Sequence, residues 1–198
     1  MAIVLPIYAY GNPVLKKKAV KISADYPKLG ELIENMFETM YNANGVGLAA
    51  PQVGLGIRLF LVDASPFAED EEEDGEDLSY LEDFKKVFIN PEIYEESGED
   101  WGFTEGCLSI PDIREEVIRQ PKIRIKYMDE NFQEFDEEYE GFAARVIQHE
   151  YDHVEGILFT DKINPMRRRL LESRLKDIAK GKARPDYRMF IPGQKGRR

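Results

Sequence analysis

One short helical motif constrains this chain more than any other feature of its sequence. His149 and His153 lie four residues apart with Glu150 between them, and the chain has no other histidine. Residues four apart share one face of a helix, so both imidazoles can bind one metal ion, and Glu150 can take a proton from a water on that ion. The surrounding segment, 142–154, is apolar on nearly every side. The motif is therefore predicted to lie on a buried central helix.

The third ligand of this predicted site is less obvious than the first two. A hydrolytic metal site usually takes three protein ligands and leaves a fourth position open. One class of metalloproteases would place a third histidine at position 159, where this chain has Phe159. Cys107, the only cysteine, follows a glycine in a loop-like stretch. A lone cysteine is usually a small buried apolar residue, but the missing ligand favours a metal role. The sequence thus predicts a site of Cys107, His149 and His153.

Two other functions fit parts of the same pattern. A small metalloprotease would cleave peptide bonds with the same helix and would need its third ligand from Glu155, Asp161 or Glu172. A non-catalytic module that binds the ribosome and carries a structural metal would need four protein ligands, whereas the chain has no second cysteine and no third histidine. Replacing Cys107 by alanine distinguishes the protease from a hydrolase whose metal is bound by Cys107, His149 and His153. The protease site would keep its metal, because a carboxylate completes it, whereas the other site would lose it.

The remaining pattern predicts one domain of helices and short antiparallel strands. A length of 198 residues is typical of a single domain. Apolar residues at helical spacing predict a helix over 29–40, and Asn164 followed by Pro165 predicts a last helix that ends at Gly181. Strands are predicted at 58–62, 87–90, 117–119, 123–128 and 134–140. The expected fold is α+β, with antiparallel β-sheets packed around the central helix that carries the motif and with a C-terminal helix.

The formal net charge of −11 is unevenly distributed. Residues 64–85 form an acidic insert, which predicts a solvated, mobile loop whose deletion over 66–83 would spare activity. Residues 162–198 carry 13 basic and 3 acidic residues. We expect a catalytic domain over 1–181 and a basic tail over 182–198. The tail is either a solvated, disordered end or, together with the last helix, a contact with ribosomal RNA.

The sequence shows no sign of a membrane segment or an export signal. No apolar run reaches the roughly 18 residues that a membrane span needs. The N-terminus lacks the basic start and the cleavage pattern of a signal peptide. A single cysteine cannot form an internal disulfide, which agrees with a reducing compartment. These features predict a cytoplasmic protein without a membrane partner.

Three segments of the chain together resemble the peptide deformylases. They are GVGLAAPQ at 45–52, EGCLS at 105–109 and HEYDH at 149–153, and the opening YGNPVL at 10–15 is similar as well. The resemblance covers residues 3–175. It implies a hydrolase that removes the N-formyl group from the N-terminal formylmethionine of newly synthesised polypeptides and releases formate. It also implies an Fe(II) cofactor, with Zn(II), Ni(II) or Co(II) able to occupy the same site.

The resemblance implies roles for individual residues too. Gln52, through its side-chain amide, and Leu108, through its backbone N–H, would stabilise the formyl oxygen as it becomes negative, while Glu150 moves the proton. The methionine side chain of the substrate would lie in an apolar pocket near Phe142 and Val146. Residues expected to hold the extended peptide as an added strand or to line its rim are Gly45, Val46, Gly47, Glu105 and Gly106.

Overall fold

A computed structural model describes residues 2–68 and 78–193 of the chain. The helices and strands within these ranges are, in chain order, β1 (Ile7–Tyr8), α1 (Leu29–Asn42), β2 (Gly47–Ala49), β3 (Leu59–Asp63), β4 (Lys85–Ser97), β5 (Trp101–Cys107), β6 (Ile110–Arg119), β7 (Lys122–Met128), β8 (Glu134–Glu140), α2 (Gly141–Glu155), α3 (Pro165–Ala179) and β9 (Met189–Phe190). Short 3₁₀ turns join several of them. None of the helices in the described ranges is both long and apolar enough to cross a membrane.

Most strands belong to one antiparallel sheet with the order β2-β3-β4-β7-β8. β3 is buried along its whole length, which explains its unbroken apolar run, whereas β7 alternates exposed and buried residues because one of its faces meets solvent. The predicted strands are confirmed, although β4 and β6 are much longer than expected. Two further pairs of strands stand apart, β5 with β6 and β1 with β9. The predicted α+β fold is confirmed.

The helix α2 lies against the large sheet and carries the histidine motif. Most of its residues are buried, as the apolar pattern predicts. It ends at Gly156, which has a φ of +76°. A Cβ atom there would come within 2.9 Å of the backbone of Lys16 and Lys17, so this position requires glycine for space as well as for conformation. The helix end is thereby fixed against the N-terminal segment.

Four strands are missing from the prediction, namely β1, β2, β5 and β9, and β5 replaces the loop expected around Cys107. It pairs with β6 in a separate two-stranded sheet, in which Cys107 lies opposite Ile110. The alternation of Trp101 and Phe103 with small residues indicates a strand, but two glycines among its seven residues hide that signal. Cys107 therefore lies at the end of a strand, beside the turn that joins β5 to β6.

The expectation of a wholly solvated acidic insert is wrong for its described parts. Leu78 is 3% exposed and Leu81 is fully buried, and both belong to the core that packs around α2. On the other side of the insert, the ring of Phe67 lies 4.8 Å from that of Phe142 on α2. Residues 69–77, which carry most of the acidic run, lie outside the described residues. The ends of the insert are therefore part of the packed body.

The expectation of a disordered end after Gly181 is also wrong for its described part. Residues 182–193 run back along the body, and β9 pairs in parallel with β1 near the start of the chain. Met189 and Ile191 pack against a buried cluster that contains residues of β6 and α3. The last helix itself is as predicted, with the side chain of Asn164 accepting a hydrogen bond from the backbone N–H of Met166.

Candidate metal centre and substrate cleft

The three predicted metal ligands meet at one point in the structure. Cys107 ends β5, and His149 and His153 lie one turn apart on α2. Their possible ligand atoms are all within 4.8 Å of one another, and Cys107 Sγ lies 3.3 Å from His153 Nε2. Ligands of a tetrahedral site with the usual metal–sulfur and metal–nitrogen lengths are ~3.6 Å apart. The three side chains therefore fit a single ion, and they form the one such convergent group among the residues described.

The charges around His149 favour a cation at this point. Burial disfavours a charge on its imidazole, but the Cys107 sulfur and the Glu105 carboxylate together raise the pKa of His149 well above its ordinary value. Cys107 and Glu105 thus both favour positive charge at His149. A divalent cation held by a thiolate and two neutral imidazoles satisfies the same electrostatic demand.

Glu150 lies beside the three ligands with one oxygen unpaired. Its side chain is buried, and Oε2 has no hydrogen-bond partner among the described residues. Burial raises the pKa of Glu150 to about 7, His149 opposes this rise, and the carboxylates of Glu105 and Asp152 add to it. A Cβ atom on Gly47 would lie 2.7 Å from Cγ of Glu150, so only glycine lets the two segments come this close. The result is a buried acid poised to accept and release a proton near neutral pH.

Glu105 holds His149 from behind the cluster. Glu105 Oε2 lies 2.9 Å from Nδ1 of His149, which directs the other ring nitrogen towards the ligand cluster. Arg119 donates two hydrogen bonds to the same carboxylate, at 2.7 and 3.0 Å, and Arg145 donates another at 3.1 Å. Burial alone would raise the pKa of Glu105, but the bonds from His149 and Arg119 hold it far below its usual range. Glu105 therefore supports His149, and its predicted place at the rim of the substrate site stays a prediction.

Gln52 and Leu108 both lie next to Cys107. Gln52 is 1% exposed, and its Oε1 accepts a hydrogen bond from the backbone N–H of Ala49 at 2.9 Å. This bond aims Nε2 at Cys107 Sγ, 3.5 Å away, and at Ser109 Oγ, 3.4 Å away. Leu108 lies in the two-residue turn between β5 and β6. A side-chain amide and the turn thus flank the same ligand, as an oxyanion site would require.

A cleft of about 670 Å³ opens onto these groups. One of its sides is β2, the edge strand of the large sheet, and another is the hairpin of β5 and β6. The backbone N–H of Asp63 in β3 donates a hydrogen bond to the carbonyl of Val46. Because successive residues of an antiparallel strand direct their N–H and C=O groups to alternate sides, those of Gly47 point away from β3 and towards the cleft. Gly45 and Gly106 line the cleft as well. All three glycines that were predicted to hold the peptide therefore line the cleft.

The apolar end of the cleft is formed by aromatic residues. Phe142 and Val146, on consecutive turns of α2, both line it, as predicted. Phe67 from the insert and Phe103 from β5 join them, with ring centres 4.8 and 5.8 Å from that of Phe142. A pocket of this size and composition suits an unbranched apolar side chain.

Several residues of this region were not predicted. Arg119, Arg145 and Asp152 form the buried ion network around Glu105, and Phe67 and Tyr187 line the cleft. The network has a signal in the sequence, since a charged residue within an otherwise buried segment such as 142–154 requires a charged partner. Phe67 and Tyr187 have none, because each reaches the cleft from a segment that composition alone assigns to solvent.

The carboxylates that a metalloprotease would need as third ligand are used elsewhere. Glu155 forms an ion pair with Arg58 at 2.6 Å. Asp161 accepts a backbone hydrogen bond at the start of a short 3₁₀ turn, and Glu172 pairs with a lysine one turn along α3. None of the three joins the ligand cluster found among the described residues. The arrangement argues against the protease alternative.

Comparison with known proteins gives a consistent result. Residues 4–169 match the sequence model of the polypeptide deformylase family. A peptide deformylase from Christiangramia forsetii is 62% identical over 192 residues, which cover 97% of this chain and 98% of that protein. The crystal structure of a peptide deformylase from Legionella pneumophila is similar with a TM-score of 0.75 and 34% identity, covering 91% of this chain and 98% of the other. The enzyme from Thermotoga maritima is similar with a TM-score of 0.68 and 40% identity over 82% of this chain and 99% of its own.

Proposed function

Because the chain belongs to the polypeptide deformylase family, we propose that Cys107, His149 and His153 hold the metal on which its activity depends. That activity is the removal of the N-formyl group from nascent polypeptides, and the enzyme is metal-dependent. The convergence of the three side chains within 4.8 Å carries the assignment of the ligands. It brings Cys107 together with two histidines that lie 42 and 46 positions later in the chain, and three such ligands would leave a fourth position for water or substrate.

The roles of the surrounding residues follow from their placement. A metal held by Cys107, His149 and His153 would supply Lewis acidity and make a water nucleophilic near neutral pH. Glu150 takes the proton of the attacking water and delivers it to the nitrogen that leaves as a free amine. Gln52 Nε2 and the Leu108 N–H donate to the formyl oxygen as it gains negative charge. Glu105 keeps the imidazole of His149 in the tautomer that a ligand needs.

The peptide binds along the two strand edges of the cleft. The backbone groups of Val46, Gly47 and Gly106 hold it in an extended conformation, and Gly45 allows the start of β2 to approach the turn at Leu108. The methionine side chain enters the aromatic end of the cleft beside Phe142 and Val146, where its flexible thioether packs well against aromatic rings. The exposed end of the cleft takes the following residues of the nascent chain.

Fe(II) is the ion proposed for the native site, with Zn(II), Ni(II) and Co(II) as alternatives that the same ligands accept. One sulfur and two nitrogen donors suit each of these ions. The enzyme is proposed to act in the cytoplasm, where nascent chains emerge. Contact with the ribosome through α3 and the segment after it is supported by the excess of basic residues over 162–198. Cosedimentation with ribosomes at increasing salt tests that contact, and binding that does not weaken with salt would contradict it.

Release of formate tests the proposed function directly. The enzyme is loaded with iron under anaerobic conditions and given formyl-Met-Ala-Ser, with the acetylated peptide as control. We expect one formate for each free amino terminus and no cleavage of peptide bonds. Cleavage within the peptide without formate release would instead support the metalloprotease.

A further inference from the structure

The segment after α3 returns to the cleft and is anchored by residues near the start of the chain. We name residues 182–193 the C-terminal arm. The backbone N–H of Ile7 donates to the carbonyl of Arg188 at 2.9 Å, and that of Ala9 donates to the carbonyl of Phe190 at 3.0 Å. The side chain of Asn12, 4% exposed, donates to the same Phe190 carbonyl at 2.9 Å. The arm is therefore held by backbone pairing and by a buried side chain.

The middle of the C-terminal arm borders the cleft that contains His149 and Glu150. Pro185, Asp186 and Tyr187 line that cleft together with the aromatic residues Phe67, Phe103 and Phe142. Tyr187 is half-buried, and its hydroxyl donates a hydrogen bond to the Leu108 carbonyl at 2.7 Å. Burial, together with the nearby charges of Cys107 and Asp112, raises the pKa of Tyr187 above its ordinary value. The hydroxyl thus stays protonated and remains a donor at physiological pH.

The turn at Leu108 and Ser109 is held by both ends of the chain. The Ser109 carbonyl accepts from the backbone N–H of Tyr10 at 2.8 Å, while Ser109 Oγ is 3.4 Å from Gln52 Nε2. The Leu108 carbonyl is held by Tyr187, 79 residues later. Since β1 and β9 pair with each other, the segments that supply Tyr10 and Tyr187 form one support. This support therefore fixes the carbonyls of both Leu108 and Ser109, which directly follow Cys107 in the chain.

We propose that Tyr187 is a positioning residue for formyl hydrolysis. Its hydroxyl fixes the turn so that the Leu108 N–H faces the oxygen of the formyl group. The N–H and C=O of Leu108 lie on either side of one Cα, so a bond on the carbonyl limits rotation of the residue that carries the donor. A donor stabilises developing charge best when it is preorganised and needs no reorientation at the moment of reaction. The inference rests on the proposed role of Leu108 in the oxyanion site. It also makes the C-terminal arm a part of the catalytic unit.

Tyr187→Phe tests this role, because it removes the hydroxyl and keeps the ring. The control is Tyr94→Phe, whose hydroxyl bonds Asp136 on the exposed side of the large sheet at 2.6 Å. We expect kcat on formyl-Met-Ala-Ser to fall about tenfold, less than the 10²–10³-fold cost of deleting an oxyanion donor. KM should stay within about twofold, and the metal content should be unchanged. The control should match the parent in all three.

A second measurement does not depend on turnover. Amide hydrogen exchange of the peptide that contains residues 105–110 should be faster in Tyr187→Phe than in the parent and unchanged in Tyr94→Phe. An unchanged kcat, an altered KM alone or unaltered exchange in Tyr187→Phe would overturn the positioning role. A metal-loaded parent that releases no formate would instead overturn the proposed function. The exchange measurement distinguishes that failure, because it reports the hold on the turn without catalysis.

Discussion

At Glu150, burial determines what the residue can do. A carboxyl group with a pKa of about 7 shares its proton readily near neutral pH, and its Oε2 has no hydrogen-bond partner among the described residues. We expect Glu150→Gln to keep the metal and lose 10²–10⁴-fold in kcat, since an amide cannot shuttle a proton. Metal analysis and formate release on the same preparation measure both effects. Near-normal turnover in a metal-loaded variant would mean that another group is the base.

Loss of the Glu105 carboxylate should affect both the stability of the fold and the affinity for the metal. This buried carboxylate neutralises Arg119 and Arg145 and supports His149. We expect Glu105→Gln to cost about 3–5 kcal/mol in the free energy of unfolding, because it leaves the buried Arg145 without its carboxylate partner and Arg119 with Asp152 alone. Metal affinity should also fall about 10–100-fold. The matched control is Glu172→Gln, which breaks an exposed pair on α3 and should leave the free energy of unfolding almost unchanged. Equal stability and metal affinity in the two variants would contradict the network.

Cys107 makes the iron form sensitive to oxygen. A thiolate on a redox-active ion with an open position can be oxidised to sulfenic acid and beyond, after which it no longer holds the metal. We expect the iron-loaded enzyme to lose formate release in air or peroxide, with oxidation of Cys107 detected by mass spectrometry. The zinc-loaded enzyme should survive the same treatment. An iron form that stays active with an unmodified cysteine would count against iron bound through this residue.

At the scale of elements, the ends of the acidic insert are packed against the body, although the composition of the insert predicts a solvated loop. Leu81 is fully buried beside α2, and Phe67 lines the cleft. Deleting 66–83 should therefore destabilise the fold and reduce activity, contrary to what the charge pattern predicts.

A single substitution tests the packing of the insert more sharply than its deletion. We expect Leu81→Ala to lower the free energy of unfolding by about 2–5 kcal/mol, because it leaves a cavity in the core. The exposed neighbour is the control, and Glu82→Ala should change the free energy by less than about 0.5 kcal/mol. Denaturant unfolding measures both. Equal midpoints and slopes would show that the insert does not pack on the body.

Elements with a local signal were predictable, and those that depend on distant contacts were not. β8 follows a turn in which Asp129 accepts from the backbone N–H groups of Asn131 and Gln133, and this local chemistry is visible in the sequence. The two ligands on α2 were predictable for the same reason, since helical spacing is local. β5 has its alternation interrupted by glycines, and β9 has only two residues whose pairing with β1 depends on the fold.

At the scale of the whole molecule, the active site is assembled from both termini and the centre of the chain. The convergence of Cys107 with the two histidines could be predicted because the sequence offers few other donors, but the environment of Cys107 could not. The bond from Tyr187 to Leu108 spans 79 residues and that from His149 to Glu105 spans 44. Contacts of such sequence separation leave no periodic pattern, so only the folded structure reveals which residues support the ligands.

The proposed mechanism depends most on the metal ligands Cys107, His149 and His153, and the metal content of variants tests each ligand directly. Purified parent enzyme, Cys107→Ala, His149→Ala and His153→Ala are analysed for bound metal under the same loading conditions, with circular dichroism to confirm that each variant is folded. We expect one divalent ion per parent chain and almost none in each variant, because two remaining ligands bind an ion far more weakly than three. A folded Cys107→Ala enzyme that retains a full complement of metal would contradict the proposed centre.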